Sequence, residues 1–166
     1  KAADFYRSFV EGSVYETTSE TAEMCKLTEN SFRDVNIAFA NELSIICDKE
    51  KIDVNELISL ANKHPRVDIL EPGPGVGGHC IAVDPWFIAS QNPDISKLIQ
   101  TSRHVNENKK DWVIDQILNK IKDISADTND NPLCACYGLS YKPNIEDCRE
   151  SPALEIVERL TKNNKN

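Results

Sequence analysis

From Glu20 to Glu50 the chain runs without a single proline or glycine. Its apolar residues Leu27, Val35, Ala38, Ile45 and Ile46 recur at roughly helical spacing, so one long helix is predicted over the whole stretch. A rod of that length dictates the class, because the rest of the chain has to pack along it. The class expected is mainly α. A second helix is predicted over about Asp53 to Lys63, with Asp53 as N-cap and Glu56 three residues on in a capping-box pattern. His64-Pro65-Arg66 stops it. Glu71-Pro-Gly-Pro-Gly-Val-Gly-Gly-His-Cys80 then forms a loop that cannot be helical. Asp84-Pro85 restarts the helix, with Asp84 as N-cap and Pro85 in the first turn, and the helix runs to about Ser90.

A further helix is predicted from near Ile95 to about Lys122, carried by Leu98, Ile99, Val105, Trp112, Val113, Ile117, Leu118 and Ile121. Residues 1–10 read as the end of a helix that began earlier, and 11–19 as a loop rich in Gly, Ser and Thr. Residues 123–131 read as a polar linker and a domain boundary. Beyond it, Leu133-Cys-Ala-Cys-Tyr137 has the texture of a short buried strand of the parallel-sheet kind. Residues 138–150 read as a loop. Ser151-Pro152 opens a last helix, with Leu154, Ile156, Val157 and Leu160 on its apolar side. Strand, loop and helix make the first unit of an α/β domain. That unit is incomplete, since one strand cannot form a sheet alone.

Charge and cysteine usage exclude several roles. Lys and Arg number 19 against 27 Asp and Glu, a formal charge of −8. That disfavours nonspecific binding to nucleic acid, whose phosphates would be repelled. A local cluster of Lys and Arg can still hold a small anionic ligand. The apolar runs are too short for a membrane span, and the first residues are neither a signal nor a transit peptide. The six cysteines are Cys25, Cys47, Cys80, Cys134, Cys136 and Cys148. They contain no CxxC pair and no zinc spacing. Reduced thiols in the cytoplasm are the default expectation.

Gly73, Gly75 and Gly78 satisfy G-x-G-x-x-G, but no βα unit surrounds them, and Pro72 and Pro74 are out of character for a dinucleotide-binding turn. Two readings stay open. The loop is a Gly/Pro connector, or its bare backbone lies close to a ligand with N–H groups pointing at it. Cys80 ends the loop four residues before the Asp84-Pro85 helix start, where a helix dipole favours a thiolate. The other reading of Cys80 is a buried structural thiol, which is also the reading for Cys25, Cys47, Cys134 and Cys136. Lys26 and Asn30 are four apart and share a helix face. They are either solvated surface groups or an ammonium and an amide aimed at one oxygen, as an oxyanion beside a thiolate would need. Arg66 follows a helix-ending proline. Lys142 and Arg149 lie between a strand and a helix N-terminus, where α/β proteins bind phosphates. His64, His79 and His104 form no metal-ligand pattern.

Three collinear runs carry a resemblance: AEMCKLTENSFRDVNIAFANEL at 22–43, GPGVGGHCIAVDPWF at 73–87 and YKPNIEDCRESPA at 141–153. The chain resembles the UDP-glucose/GDP-mannose dehydrogenase family over nearly its whole length. The wording from His79 to Phe87 separates it from the UDP-glucose branch and resembles the bacterial branch acting on UDP-N-acetyl-D-mannosamine; the UDP-N-acetylglucosamine branch is less sharply separated. Members have an N-terminal NAD-binding domain, a helical central domain that forms the dimer, and a C-terminal domain that binds UDP. By that map, residues 1–10 are the tail of the first domain, 11–122 the central domain, and 132–166 the first strand and helix of the third.

The resemblance implies NAD-dependent oxidation of the C6 alcohol of a UDP-sugar to a carboxylate. The reaction passes through a cysteine thiohemiacetal and thioester, in the service of a surface polysaccharide. By the same resemblance Cys80 is the nucleophile, Lys26 stabilises the oxyanion with Asn30 as partner, and Asp84 positions or activates water. Arg66 reaches a neighbouring subunit's substrate. Gly73, Gly75, Gly77 and Gly78 cradle the substrate, Lys142 lies near the nucleotide sugar, and Arg149 contacts the NAD phosphate. The glycine-rich strand–turn–helix of the NAD domain is not in this chain, so the stretch by itself is expected to be inactive. A reading of another class also stands: a helical dimerisation module without chemistry, whose Cys80 is a core residue.

Overall fold

The computed structural model describes residues 1–128 and 132–163. Six helices follow in order: α1 (Ala2–Arg7), α2 (Ser19–Glu50), α3 (Val54–Ala61), α4 (Asp84–Gln91), α5 (Lys97–Thr128) and α6 (Pro152–Asn163). The class is mainly α, as the uninterrupted helical patterning predicts. At about 1.5 Å per residue, α2 and α5 are rods of about 48 Å. They pack on each other, α4 closes over both, α3 lies on α2, and α6 lies on α5.

Local chemistry sets the helix ends. Thr18 caps α2 by accepting from the Thr21 N–H at 3.2 Å. At the other end Lys51 turns left-handed (φ 60°), and the Ile52 N–H reaches back to the Cys47 carbonyl at 2.9 Å, a Schellman closure. Asp53 caps α3, as predicted, accepting from the N–H groups of Asn55 and Glu56. The start of α4 differs from expectation. Val83, not Asp84, is its N-cap, and Asp84 is the first helical residue ahead of Pro85. The carboxylate that would have capped the helix is engaged across the fold, as described below.

Two further expectations are corrected. The stretch from Asp123 to Thr128 is not linker but the last turns of α5. It is polar, yet it contains no residue that breaks a helix; residues 129–131 of the expected linker lie outside the described residues. Leu133–Tyr137 is not a strand, and the described residues contain none. Leu133 and Tyr137 are fully exposed, because an extended segment has no ladder to join without a neighbouring strand.

The seam between α2 and α5 is small and polar. Its buried apolar residues are Ala38, Ala40 and Cys47 on α2 and Ile114 on α5, whereas Asp34, Asn41, Arg103 and Asn106 are each 2% exposed or less. Arg103 pairs with Asp34 at 2.7 Å. Burial, the largest influence, pushes the Asp34 carboxyl above the usual carboxylate range, against the pull of Arg103. Lys109 is also buried in this seam, donating to the Ser44 hydroxyl at 2.6 Å over the Trp112 ring, and burial brings its ammonium down to about 8. Of the cysteines expected to be structural, only Cys47 is buried; Cys25, Cys134 and Cys136 are exposed.

Candidate active site

The loop that leads to Cys80 is held from both sides. On one side the Gly73 N–H donates to the Asn41 side chain on α2 at 2.8 Å. On the other lies the segment that precedes and opens α6. A Cβ on Gly77 would stand 2.5 Å from the Tyr141 Cβ and 2.7 Å from the Glu150 carbonyl oxygen. Gly78 adopts φ 81° with the Tyr141 ring against it, a conformation that side chains beyond glycine rarely take. The glycines are therefore bare because another part of the chain lies on them. At Gly77 and Gly78 that packing, rather than a ligand, is the visible reason for the missing side chain.

Cys80 is exposed at the end of this loop. Its carbonyl accepts from the N–H groups of Val83 and Asp84 at 3.0 and 2.8 Å, so the nucleophile candidate belongs to the turn that starts α4. Asp84 then looks across the fold. Its Oδ2 accepts from the Asn30 amide nitrogen at 2.5 Å, linking residues 54 apart in sequence. Asn30, Asp84 and the Cys80 turn are thus joined in one hydrogen-bonded corner between α2 and α4. An amide nitrogen carries two hydrogens, and one of those on Asn30 is committed to Asp84.

Lys26 sits one turn earlier on the same face of α2. Its ammonium pairs with Glu29 at 3.4 Å, and both side chains are well exposed. Exposed pairs of this kind are worth about 0–1 kcal/mol, so an incoming anion can draw Lys26 away at little cost. Glu29 is a residue that sequence reasoning missed here.

The remaining candidates are not gathered into this corner. Arg66 is exposed, and its backbone N–H donates to the His64 ring at 3.2 Å. Lys142 is exposed in the loop before α6. Arg149 grips Asp147 through Nε and a terminal nitrogen at 2.7–3.1 Å, and these hydrogen bonds hold the Asp147 carboxyl down to about 2. Any phosphate would share that guanidinium with Asp147. The pattern Gly73-x-Gly75-x-x-Gly78 follows no strand and opens no helix, so these residues do not form a dinucleotide site by themselves. Tyr141, Asn41 and Asn106 hold the loop in place and were not singled out from sequence. Their signal is faint, since polar residues in a helix pattern read as solvated.

The model of the UDP-glucose/GDP-mannose dehydrogenase central domain matches residues 20–108, and that of the family's UDP binding domain matches 135–166. The chain belongs to the UDP-glucose/GDP-mannose dehydrogenase family. It is 61% identical over 163 residues to the UDP-N-acetyl-D-mannosamine dehydrogenase of Escherichia coli K12, covering 96% of this chain and 39% of that protein. It is 57% identical to the NDP-N-acetyl-D-galactosaminuronic acid dehydrogenase of Ralstonia nicotianae, covering 96% and 36%. Among solved structures, a UDP-D-ManNAc dehydrogenase from Pyrococcus horikoshii superposes with a TM-score of 0.84 at 42% identity, covering 97% of this chain and 38% of that one. The chain thus spans about two fifths of the length of these relatives.

Proposed function

We propose that the full-length protein containing this chain is an NAD-dependent UDP-sugar 6-dehydrogenase whose substrate is UDP-N-acetyl-D-mannosamine. In this reading residues 1–10 end an NAD-binding domain, 11–122 form the central domain, and 132–166 begin the UDP-binding domain. The observation that carries the reading is the corner in which Asn30 and Asp84 meet at the base of an exposed Cys80. The activities that the relatives are named for point the same way. The exposure of Cys80 disfavours a module in which that thiol is a core residue.

NAD, when bound, would supply the hydride acceptor for both oxidations of C6. Once the alcohol has become an aldehyde, the Cys80 sulfur bonds to C6 and the carbonyl oxygen takes on negative charge. The second N–H of Asn30 and the ammonium of Lys26 stabilise that oxygen. Loss of a second hydride from the thiohemiacetal leaves a thioester on Cys80. Asp84, fixed by Asn30, orients the water whose oxygen bonds to C6; the C–S bond breaks, and Cys80 regains its proton. Arg66 extends toward a neighbouring subunit's substrate, Lys142 toward the nucleotide sugar, and Arg149 toward a phosphate of NAD. The loop backbone at Gly73, Gly75, Gly77 and Gly78 lies along the sugar on the side away from Tyr141, which covers Gly77 and Gly78 where a Cβ would stand.

A homodimer along α2 belongs to the same proposal. Phe32, Phe39 and Ile46 recur every seven residues on α2 and are 70%, 55% and 49% exposed. Such an apolar stripe favours burial against a partner helix. The described residues contain no helix long and apolar enough to cross a membrane; a cytoplasmic site and a role in surface polysaccharide synthesis complete the proposal. The test is a substrate panel on the full-length protein. UDP-N-acetyl-D-mannosamine should give two NADH per acid formed, with UDP-N-acetylglucosamine and UDP-glucose far slower. Equal turnover of UDP-glucose would refute the substrate assignment, and absence of turnover with all three would refute the activity.

A further inference from the structure

Between α2 and α5 runs a chain of buried polar groups that has a direction. The Arg103 guanidinium donates to Asp34 Oδ1 at 2.7 Å. The Asn106 amide nitrogen donates to the same oxygen at 2.8 Å and to the Asp34 carbonyl at 3.1 Å. Asn106 Oδ1 in turn accepts from the Asn41 amide nitrogen at 2.9 Å. Asn41 Oδ1 accepts from the Gly73 N–H at 2.8 Å. Each amide presents its nitrogen toward the carboxylate and its oxygen toward the loop. Turning either one over would set acceptor against acceptor. One charge, at Asp34, therefore dictates the orientation of two amides and the position of a backbone N–H in the reactive loop.

Stability alone does not call for this arrangement, because well-packed apolar side chains in such a seam serve at least as well as a buried ion pair. The chain ends on the loop that carries the nucleophile. It touches that loop a second time, since a Cβ on Gly75 would lie 3.2 Å from the Asn106 carbonyl oxygen. Gly73 stands between Pro72 and Pro74, whose rings fix their own φ angles. A displacement at Gly73 is thus passed along the loop rather than absorbed beside it.

We propose that Asn41 and Asn106 are positioning residues for Cys80. They transmit the geometry of the buried Asp34–Arg103 pair to the Gly73 N–H and so set where the run from Gly73 to Cys80 begins. The proposal rests on the reading of Cys80 as the nucleophile. A misplacement of about 1 Å costs on the order of 100-fold in rate, so Asn41→Ala should lower kcat by about 10- to 100-fold and leave KM near the parent's.

The experiment uses the full-length protein with Asn41→Ala, Asn41→Asp and, as a packing control, Ile58→Ala, a buried residue of α3 outside the chain of amides. Three quantities are read: kcat and KM with NAD and UDP-N-acetyl-D-mannosamine, the rate of Cys80 alkylation by iodoacetamide, and hydrogen exchange over residues 73–80. Asn41→Ala should lower kcat, change the alkylation rate and speed exchange in the loop. Ile58→Ala should lower the melting temperature without any of these effects.

Asn41→Asp supplies a readout that a purely structural role would not move. Its protonated carboxyl can donate to Asn106 and accept from Gly73, whereas the ionised form faces Asn106 Oδ1 with a second acceptor. Its kcat should therefore approach the parent's at low pH and fall as pH rises, relative to the parent profile. Parent-like kcat and loop exchange in Asn41→Ala, or a parent-like pH profile in Asn41→Asp, would overturn the proposal. If the parent turns over no UDP-sugar, the proposed activity fails, and the exchange and alkylation measurements still decide the positioning role. Should Asn41→Ala not fold, the same measurements on Asn41→Asp across pH decide alone.

Discussion

Replacing Arg103 with leucine strips the cation from a carboxylate that has no access to solvent. Asp34 is 0% exposed, and Arg103 stands 2.7 Å away with a side chain only 3% exposed. Two hydrogen bonds from the Asn106 amide would survive, one to the carboxylate and one to the backbone. Among the described residues the other carboxylate oxygen, Oδ2, has no hydrogen-bond partner. Breaking one side of a buried pair costs about 3–5 kcal/mol, and the surviving Asn106 contact places Arg103→Leu at the lower end. Burial already raises the Asp34 carboxyl above its ordinary value, and Arg103 is the principal opposing influence, so the variant raises it further.

An acid whose folded-state value lies above its unfolded one contributes stability that is full below the unfolded value and lost as pH rises through the folded value. The deficit of Arg103→Leu against the parent should accordingly be largest near neutrality and shrink on acidification, as Asp34 takes up a proton. Adding Asp34→Asn to Arg103→Leu, which removes the orphaned charge and keeps an acceptor for Asn106, should recover most of the loss. Hydrogen exchange along α2 and α5 in the full-length protein, corrected for intrinsic rates, reads the local opening free energy. A deficit below about 1 kcal/mol would refute the reasoning. So would one insensitive to pH, or one that Asp34→Asn fails to relieve.

Gly77→Ala would place a methyl group 2.5 Å from the Tyr141 Cβ, an overpacking worth about 1–3 kcal/mol. It should loosen the segment before α6, seen as faster proteolysis between residues 138 and 150. Lys109, brought down by burial to about 8 from its ordinary 10.5, is a base whose unfolded form holds more protons between those values. Its contribution to stability should thus rise with pH across that window, and Lys109→Met should abolish the rise in the opening free energy of α5. Phe39→Glu on the exposed stripe of α2 should shift the full-length protein from dimer to monomer in sedimentation, and an unchanged dimer would place the interface elsewhere.

The features legible in sequence are those decided locally. The two long helices follow from apolar spacing and the absence of glycine and proline, and the α3 cap follows from Asp53 standing next to the N–H groups it accepts from. The non-helical loop that ends at Cys80 was also readable, because its prolines and glycines exclude a helix there. What escaped depends on distant partners. Asp84 looks like a cap until Asn30, on another helix, takes its carboxylate. Leu133–Tyr137 has strand texture, yet a strand exists only where a neighbour supplies the ladder. Polar residues at Asp34, Asn41, Arg103 and Asn106 look solvated in a helical pattern and turn out to be the inside of the α2–α5 seam. Ile46, one of the apolar residues whose spacing predicts α2, lies with Phe32 and Phe39 on the exposed face.

The most direct test of the central claim is to quench the full-length protein during turnover of UDP-N-acetyl-D-mannosamine with NAD and to map covalent adducts by mass spectrometry. A uronyl group in thioester linkage on the peptide containing Cys80, absent from Cys80→Ser along with release of acid, is the predicted result. Acid formation by Cys80→Ser at the parent's rate, or an adduct on a different cysteine, would contradict the account.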